Sequence, residues 1–337
     1  MDWLLLVAAL GVILAGSELF TNGVEWIGEG FELSEGVVGS VLAAVGTALP
    51  ETILPLIAIL FGADTGEQIG VGAILGAPFM LSTLAMFVLG ASVLGYARAG
   101  KRSRSIRADP AVPKLDLTVF LVLYSLAVIA GLIHVKALNV AVAVVLVIAY
   151  GFSVRGHFVR IPAETGVDAP ALKALYLGRA PLPNRRRREG HAPVWVAMVQ
   201  TFVGLVVIVV GARVFVAAVT SIADRLDISH LAFALLVAPI ATELPETFNA
   251  GVIWARRGRD TLAVGNITGA LVFQSVFPVT IGLLLTPWHL TKDSLVAALV
   301  ALVARGSCWG RSWSGTASPR ASCCSRACCT GPTSRTC

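Results

Sequence analysis

The sequence predicts an all-α polytopic membrane protein built from two inverted repeats of about five transmembrane helices each. Three observations predict it. Of 337 residues, 56% are hydrophobic and only 14% charged, with a mean hydropathy of +0.81, outside the range of soluble globular domains. Apolar runs near or above 18 residues recur along the chain, each long enough to cross about 30 Å of hydrocarbon as a helix. They are continuous rather than alternating, which excludes strands of a barrel. Finally, "GTALPET" at 46–52 returns at 241–247 as "ATELPET".

Taken in order, the runs and breaks predict helices at 3–28, 34–61, 67–97, 115–135, 137–153, 193–223, 229–256, 260–286 and 293–304. The first run follows Asp2 rather than a basic n-region, so a secretory leader is disfavoured. Residues 154–192, with Pro162, Pro170, Pro181, Pro183 and the run Arg185 to Arg188, read as a basic cytoplasmic linker between repeat one (1–153) and repeat two (193–304). "RRRR" is expected to be a solvated topological anchor.

The repeats keep one register. Gly16, Phe20, Ser34, Thr47, Leu49, Pro50, Glu51 and Thr52 match Gly211, Phe215, Ser229, Thr242, Leu244, Pro245, Glu246 and Thr247 at a constant offset of 195. After a two-residue slip, "VGAILG" at 71–76 matches "VGNITG" at 264–269. Duplication explains this better than chance. The basic residues cluster in the loop from Arg98 to Lys114, in the linker, and at Arg256, Arg257 and Arg259. The positive-inside rule puts those loops in the cytoplasm and the N-terminus outside, in a plasma (inner) membrane. Five spans per half then make the repeats inverted.

An ionised side chain at mid-membrane costs roughly 2.5–3.5 kcal/mol even on insertion scales, so one kept there needs a partner. Glu51 and Glu246 lie near the middle of spans two and seven, each after a proline that removes a backbone donor and opens the helix. Helices two and seven are therefore expected to be discontinuous, with carbonyls freed to face an ion. Two carboxylates, Thr47, Thr242 and freed carbonyls make an oxygen-only set suited to Ca²⁺ or Na⁺.

"GTALPE", "ATELPE" and "GNITGA" resemble the α-repeats of the cation/calcium exchanger superfamily, whose usual patterns are GTSLPE and GNxxGSNxFN. The resemblance covers roughly residues 3–304. It implies ten helices as five plus five, Glu51 and Glu246 as central cation ligands, Thr47 and Thr242 lining the same sites, and exchange of Na⁺ for Ca²⁺ by alternating access. The pattern's serines become Ala48, Glu243, Ala77 and Ala270 here; its later polar position holds Leu81 in one half and Gln274 in the other. The asparagine after the first glycine is Ala73 in one half and Asn266 in the other. Repeat one has lost oxygens and repeat two has gained a carboxylate, which makes Glu243, Gln274 and Asn266 secondary candidates.

Glu243 and Glu246, spaced i, i+3, share a face of any continuous helix and cannot both ionise freely without a cation. A proton is thereby favoured as a coupling ion, for Ca²⁺/H⁺ or mixed exchange. The alternative is a passive cation channel or a cation-sensing membrane protein. No enzyme is expected, since His134, His157, His191, His230 and His289 show no ligand spacing and no nucleophile is paired with a base. No cofactor is expected beyond the transported cations; the partners are inorganic cations and the bilayer, not nucleic acid. "GVGAILG" at 70–76 reads as close helix packing rather than a nucleotide loop.

All six cysteines fall at or after Cys308. The composition of residues 305–337, rich in Arg, Ser, Cys, Gly and Trp, is that of a GC-rich coding sequence read in a shifted frame, replacing the tenth helix. The spacing of Cys323, Cys324, Cys328 and Cys329 fits no common zinc pattern.

Overall fold

The computed structural model describes residues 2–30, 49–106, 108, 111–160, 175–177, 194–243, 247, 256 and 260–313. All regular structure among them is helical. The helices are α1 (Asp2–Gly30), α2 (Leu49–Phe61), α3 (Ala63–Met80), a π-helical turn (Leu81–Ala85), α4 (Met86–Arg98), α5 (Ala111–Ile133), α6 (Lys136–Arg160), α7 (Val194–Leu226), α8 (His230–Thr242), α9 (Asp260–Gln274), α10 (Phe277–Leu285) and α11 (Lys292–Trp313). Six stretches among the described residues are long and apolar enough to cross a membrane, and α2 and α8 are shorter apolar helices. Large apolar side chains stay exposed along them, including Trp3, Val7, Val122, Ile129, Ile148 and Phe152. Water would penalise that surface, and lipid solvates it.

The chain divides into two compact units. One comprises residues 1–70 and 158–234, the other 71–157 and 235–337.

In the first unit, α1 packs along α7. Glycines set the approach. A β-carbon on Gly16 would lie 2.9 Å from Ile208 Cγ1 and 3.0 Å from Val207 Cγ1; one on Gly211 would lie 2.8 Å from Ile13 Cγ1 and 3.1 Å from Val12 Cγ1. Gly204 sits against the Phe20 backbone and Gly23 against Thr201. In the Gly16–Ile208, Ile13–Gly211, Phe20–Gly204 and Gly23–Thr201 pairs, one partner rises as the other falls, so the two helices run antiparallel. Small residues permit such close backbone contact where no hydrophobic effect drives association. Asp2 at the start of α1 ties to the end of α7, accepting a 2.6 Å hydrogen bond from Ser221 and pairing with Arg225 at 3.0 Å.

The turn from α2 to α3 is equally tight. Gly62 and Gly66 lie against the Ala58 backbone, and a β-carbon on Gly70 would stand 3.1 Å from the Pro55 carbonyl oxygen. Helix packing therefore accounts for the glycine that opens "GVGAILG". Arg213, a basic residue inside a span, holds its guanidinium 4.3 Å from the centre of the Phe61 ring, an attraction that needs no counter-ion. Part of the segment read as linker is docked here. Leu175 is buried against Val196 and Ala197. Tyr176 donates to Asn22 and, through its hydroxyl, to Glu18, while Leu177 donates to Gln200.

In the second unit, α5 packs against α9 and α11, and the π-helical turn touches α9 and α11. Trp288 is fully buried; its indole donates to the Ala127 carbonyl at 3.0 Å, beside Gly131 and Gly282. Lys136 donates to the carbonyls of Leu283, Leu284 and Thr286, which closes the C-terminus of α10.

Four expected helices differ in detail. The one expected at 137–153 continues to Arg160, into the segment expected to be linker. The span expected at 260–286 is broken: Ser275 N–H still bonds Leu271 O, Val276 N–H bonds only as far back as Phe273 O, and α10 restarts at Phe277. Pro278 is the physical reason, because it has no N–H to offer the Gln274 carbonyl one turn earlier. The span expected at 67–97 contains the π-helical turn, at the positions that the 193-residue offset equates with Gln274 to Pro278. Last, α11 runs to Trp313 rather than stopping near 304. Continuing helical bonds and the burial of Arg305 carry it past the apolar run.

Candidate functional site

The residues expected to bind cations divide between the two units. Thr47 and Glu246 lie outside the described residues, as does the proline before Glu246.

In the first unit, Glu51 stands in the first turn of α2 and is 4% exposed. It shares the buried face of that helix with Leu54 and Ala58, at the i, i+3, i+7 spacing of a packed stripe. Pro55 lies inside α2. Lacking an N–H, it cannot bond the carbonyl one turn earlier, which belongs to Glu51. Glu51 thus combines a buried carboxylate with a carbonyl whose regular helical donor is replaced by Pro55.

In the second unit, Thr242 and Glu243 end α8, both buried. The Thr242 hydroxyl bonds the Ala238 carbonyl at 3.3 Å. Around Glu243 the backbone is helically bonded: its N–H reaches Pro239 O at 2.9 Å, and Thr247 N–H reaches Glu243 O at 3.0 Å. Gly76 of α3 packs on α8 where Pro239 leaves the Leu235 carbonyl without its helical donor; a β-carbon there would stand 2.6 Å from Pro239 Cγ.

The structure brings Glu243 and Gln274 together. Gln274 Nε2 donates to Glu243 Oε1, and both side chains are buried. Since Gln274 uses a donor of its amide, the acceptor end is left over, and Gln274 Oε1 has no hydrogen-bond partner among the described residues. Gln274 is also the residue at the α9–α10 break, so its main-chain carbonyl loses its donor to Pro278. Leaving a buried acceptor unmade costs about 1–3 kcal/mol, which a hard cation would recover. Asn266 is half-buried on α9, about 12 Å from Gln274 along the axis at 1.5 Å per residue.

Other buried charges were not singled out by the sequence. Asp116 of α5 accepts a 2.5 Å hydrogen bond from Thr268 of α9. Arg102 pairs with Asp260 at 2.8 Å with both side chains 5% exposed, and Arg305 of α11 donates to the Ser82 carbonyl. All four stand near the ends of apolar runs, where a polar residue reads as a boundary. Among the described residues no group of three or more His, Cys, Asp or Glu could hold a metal by itself, so cation ligation draws on neutral oxygens as well.

The sequence pattern described as "Sodium/calcium exchanger protein" matches residues 1–158 and 196–309. The chain belongs to the sodium/calcium exchanger protein family. Like other members, it is an integral membrane protein. It is 26% identical to the inner membrane protein YrbG of Escherichia coli strain K12, over 91% of this chain and 89% of that one. It is 25% identical to the putative antiporter CaxA of Alkalimonas amylolytica, over 88% and 87%. Its fold resembles the H⁺/Ca²⁺ exchanger CAX, with a TM-score of 0.63 at 14% identity, covering 89% of this chain and 73% of that one. It also resembles the sodium-calcium exchanger NCX_Mj, with a TM-score of 0.51 at 22% identity, covering 93% and 90%. The family match runs to 309, so it includes Arg305 and the first residues of the anomalous tail.

Proposed function

We propose that this chain is a secondary active cation antiporter that exchanges Ca²⁺ for Na⁺ or H⁺ by alternating access between two inverted repeats. Family membership supports cation antiport in general. The observation that carries the residue-level reading is the buried Glu243–Gln274 pair, a carboxylate held by an amide whose own oxygen is left over for a cation. Glu51 and Glu246 carry the cation's charge, Thr47 and Thr242 add neutral oxygens, and Glu243, Gln274 and Asn266 tune the second half.

The inverted repeat is supported by the α1–α7 contact. Gly16 meets Val207 and Ile208, while Gly211 meets Val12 and Ile13. Each of these pairs maps on the other under the 195-residue offset. Reciprocal contact of this kind is what a two-fold axis between equivalent helices produces, and in antiparallel helices the axis lies in the membrane plane.

The third carboxylate favours a proton among the counter-ions, because Glu243 and Glu246 together hold more negative charge than one monovalent ion balances. Orientation follows the basic loops, with the N-terminus outside and residues 154–192 in the cytoplasm of an inner-membrane protein.

The test is vesicle flux with Ca²⁺, Na⁺ and H⁺ gradients imposed separately, on wild type, Glu51→Gln and Glu246→Gln. Wild type exchanges Ca²⁺ against an imposed gradient and shows counterflow, which a passive channel does not. Each substitution lowers exchange by at least about tenfold, the scale of 1.4 kcal/mol. Exchange left intact in either variant rejects that ligand, and uptake that follows Na⁺ while ignoring pH rejects the proton.

A further inference from the structure

Arg305 is a buried cation on α11, and its place relates it to ion binding. It lies 13 residues after Lys292 on α11, about 20 Å along the axis at 1.5 Å per residue. At 3% exposure it does not snorkel to a surface. Its guanidinium, charged at any working pH, donates through Nη2 to the backbone carbonyl of Ser82. Ser82 belongs to the π-helical turn Leu81–Ala85, and such turns interrupt the regular bonding of a helix, often at functional places. The Ser82 hydroxyl is itself buried, with no hydrogen-bond partner among the described residues.

The repeat register makes this position informative. An offset of 193 equates Ser82 with Ser275 and Leu81 with Gln274. In the second repeat, the interrupted helix presents an open amide oxygen and a carbonyl without its helical donor. In the first repeat, the equivalent interruption presents apolar Leu81 and, one residue on, the Ser82 carbonyl, already taken by a protein cation. Carbonyl oxygens hold metal cations but not protons, and the single charge of a guanidinium matches that of a monovalent ion such as Na⁺.

We propose that Arg305 is a tethered cation that permanently fills the monovalent-cation position of the first repeat. This rests on the antiporter reading and on Arg305 belonging with the family match, which runs to 309, rather than with a shifted frame beginning at 305; its consequence is that the chain moves Ca²⁺ against one fewer monovalent ion than a protein with both positions open. Asymmetry in the ligand set then has a function: repeat one carries its own charge, and repeat two does the selecting.

The test uses full-length protein with Arg305→Met, which is neutral and of similar length, and Arg305→Lys, which keeps the charge. The thermal unfolding midpoint in detergent is measured as NaCl replaces choline chloride at constant ionic strength. Arg305→Met gains a saturable Na⁺ stabilisation that wild type and Arg305→Lys lack, or folds in NaCl and not in choline chloride. In vesicles, the number of monovalent ions exchanged per Ca²⁺ rises by one in Arg305→Met. A Na⁺ response identical to wild type, an unchanged coupling ratio, or a variant that unfolds equally in both salts makes Arg305 a structural strut and overturns the proposal. The midpoint needs no flux, so a wild type that fails to exchange Ca²⁺ sinks the antiporter reading separately.

Discussion

In the proposed antiporter, Gln274 is the amide that offers a cation position without any charge of its own. Its nitrogen is committed to Glu243, which fixes which way its oxygen points, and Pro278 removes the main-chain donor beside it. Gln274→Leu therefore removes an oxygen ligand and deprives Glu243 of a donor in one step. A hydrogen bond to a charged group is worth about 1.5–3 kcal/mol. The expected outcome is Ca²⁺ half-saturation raised by about 10- to 100-fold in isotope uptake, with the proton dependence of uptake steepened. Gln274→Glu keeps the oxygens but places two carboxylates in contact, so uptake falls most at high pH and partly recovers on acidification. The "LPE" motif marks Glu51 and Glu246 because a charge beside proline in an apolar run has few structural excuses. Nothing local marks the Glu243–Gln274 contact, because its members lie 31 residues apart and meet only in the folded chain.

At the scale of helices, α1 and α7 meet through glycines at equivalent positions, and the contact is symmetric enough to be tested as such. Gly16→Val and Gly211→Val each force a branched side chain into space held by Val207 and Ile208, or by Val12 and Ile13. Overpacking of this kind costs about 1–3 kcal/mol. Both variants are expected to lower the unfolding midpoint by similar amounts, and a large difference between them would argue against a two-fold relation. The break between α9 and α10 is a second helix-scale device. Pro278→Ala returns an N–H to the Gln274 carbonyl, so the midpoint holds or rises while Ca²⁺ exchange falls. A variant that exchanges as wild type shows that the carbonyl is not used. Among the described residues, helix existence was readable from apolar length. The break at Ser275–Val276 was not, since the run stays apolar across it and Pro278 sits where a new helix tolerates proline in its first turn.

For the whole molecule, the basic loops predict a sidedness that labelling can read. In a background with the native cysteines replaced, a cysteine at Arg187 is expected to react with an impermeant thiol reagent only from the cytoplasmic side, and one at Lys136 only from outside; the reverse pattern overturns the topology. Membrane class and family were legible without coordinates, because they depend on composition and on motif spacing along the chain. So were the carboxylates and prolines of the two "LPE" motifs, since their cost in hydrocarbon is local. Tertiary structure alone decided which other groups meet: Gln274 on Glu243, Arg305 on Ser82, Thr268 on Asp116, and glycine against aliphatic side chain between α1 and α7. The reason is physical. A residue's solvation penalty is written at its own position, whereas the partner that relieves it comes from a helix whose approach is set by packing.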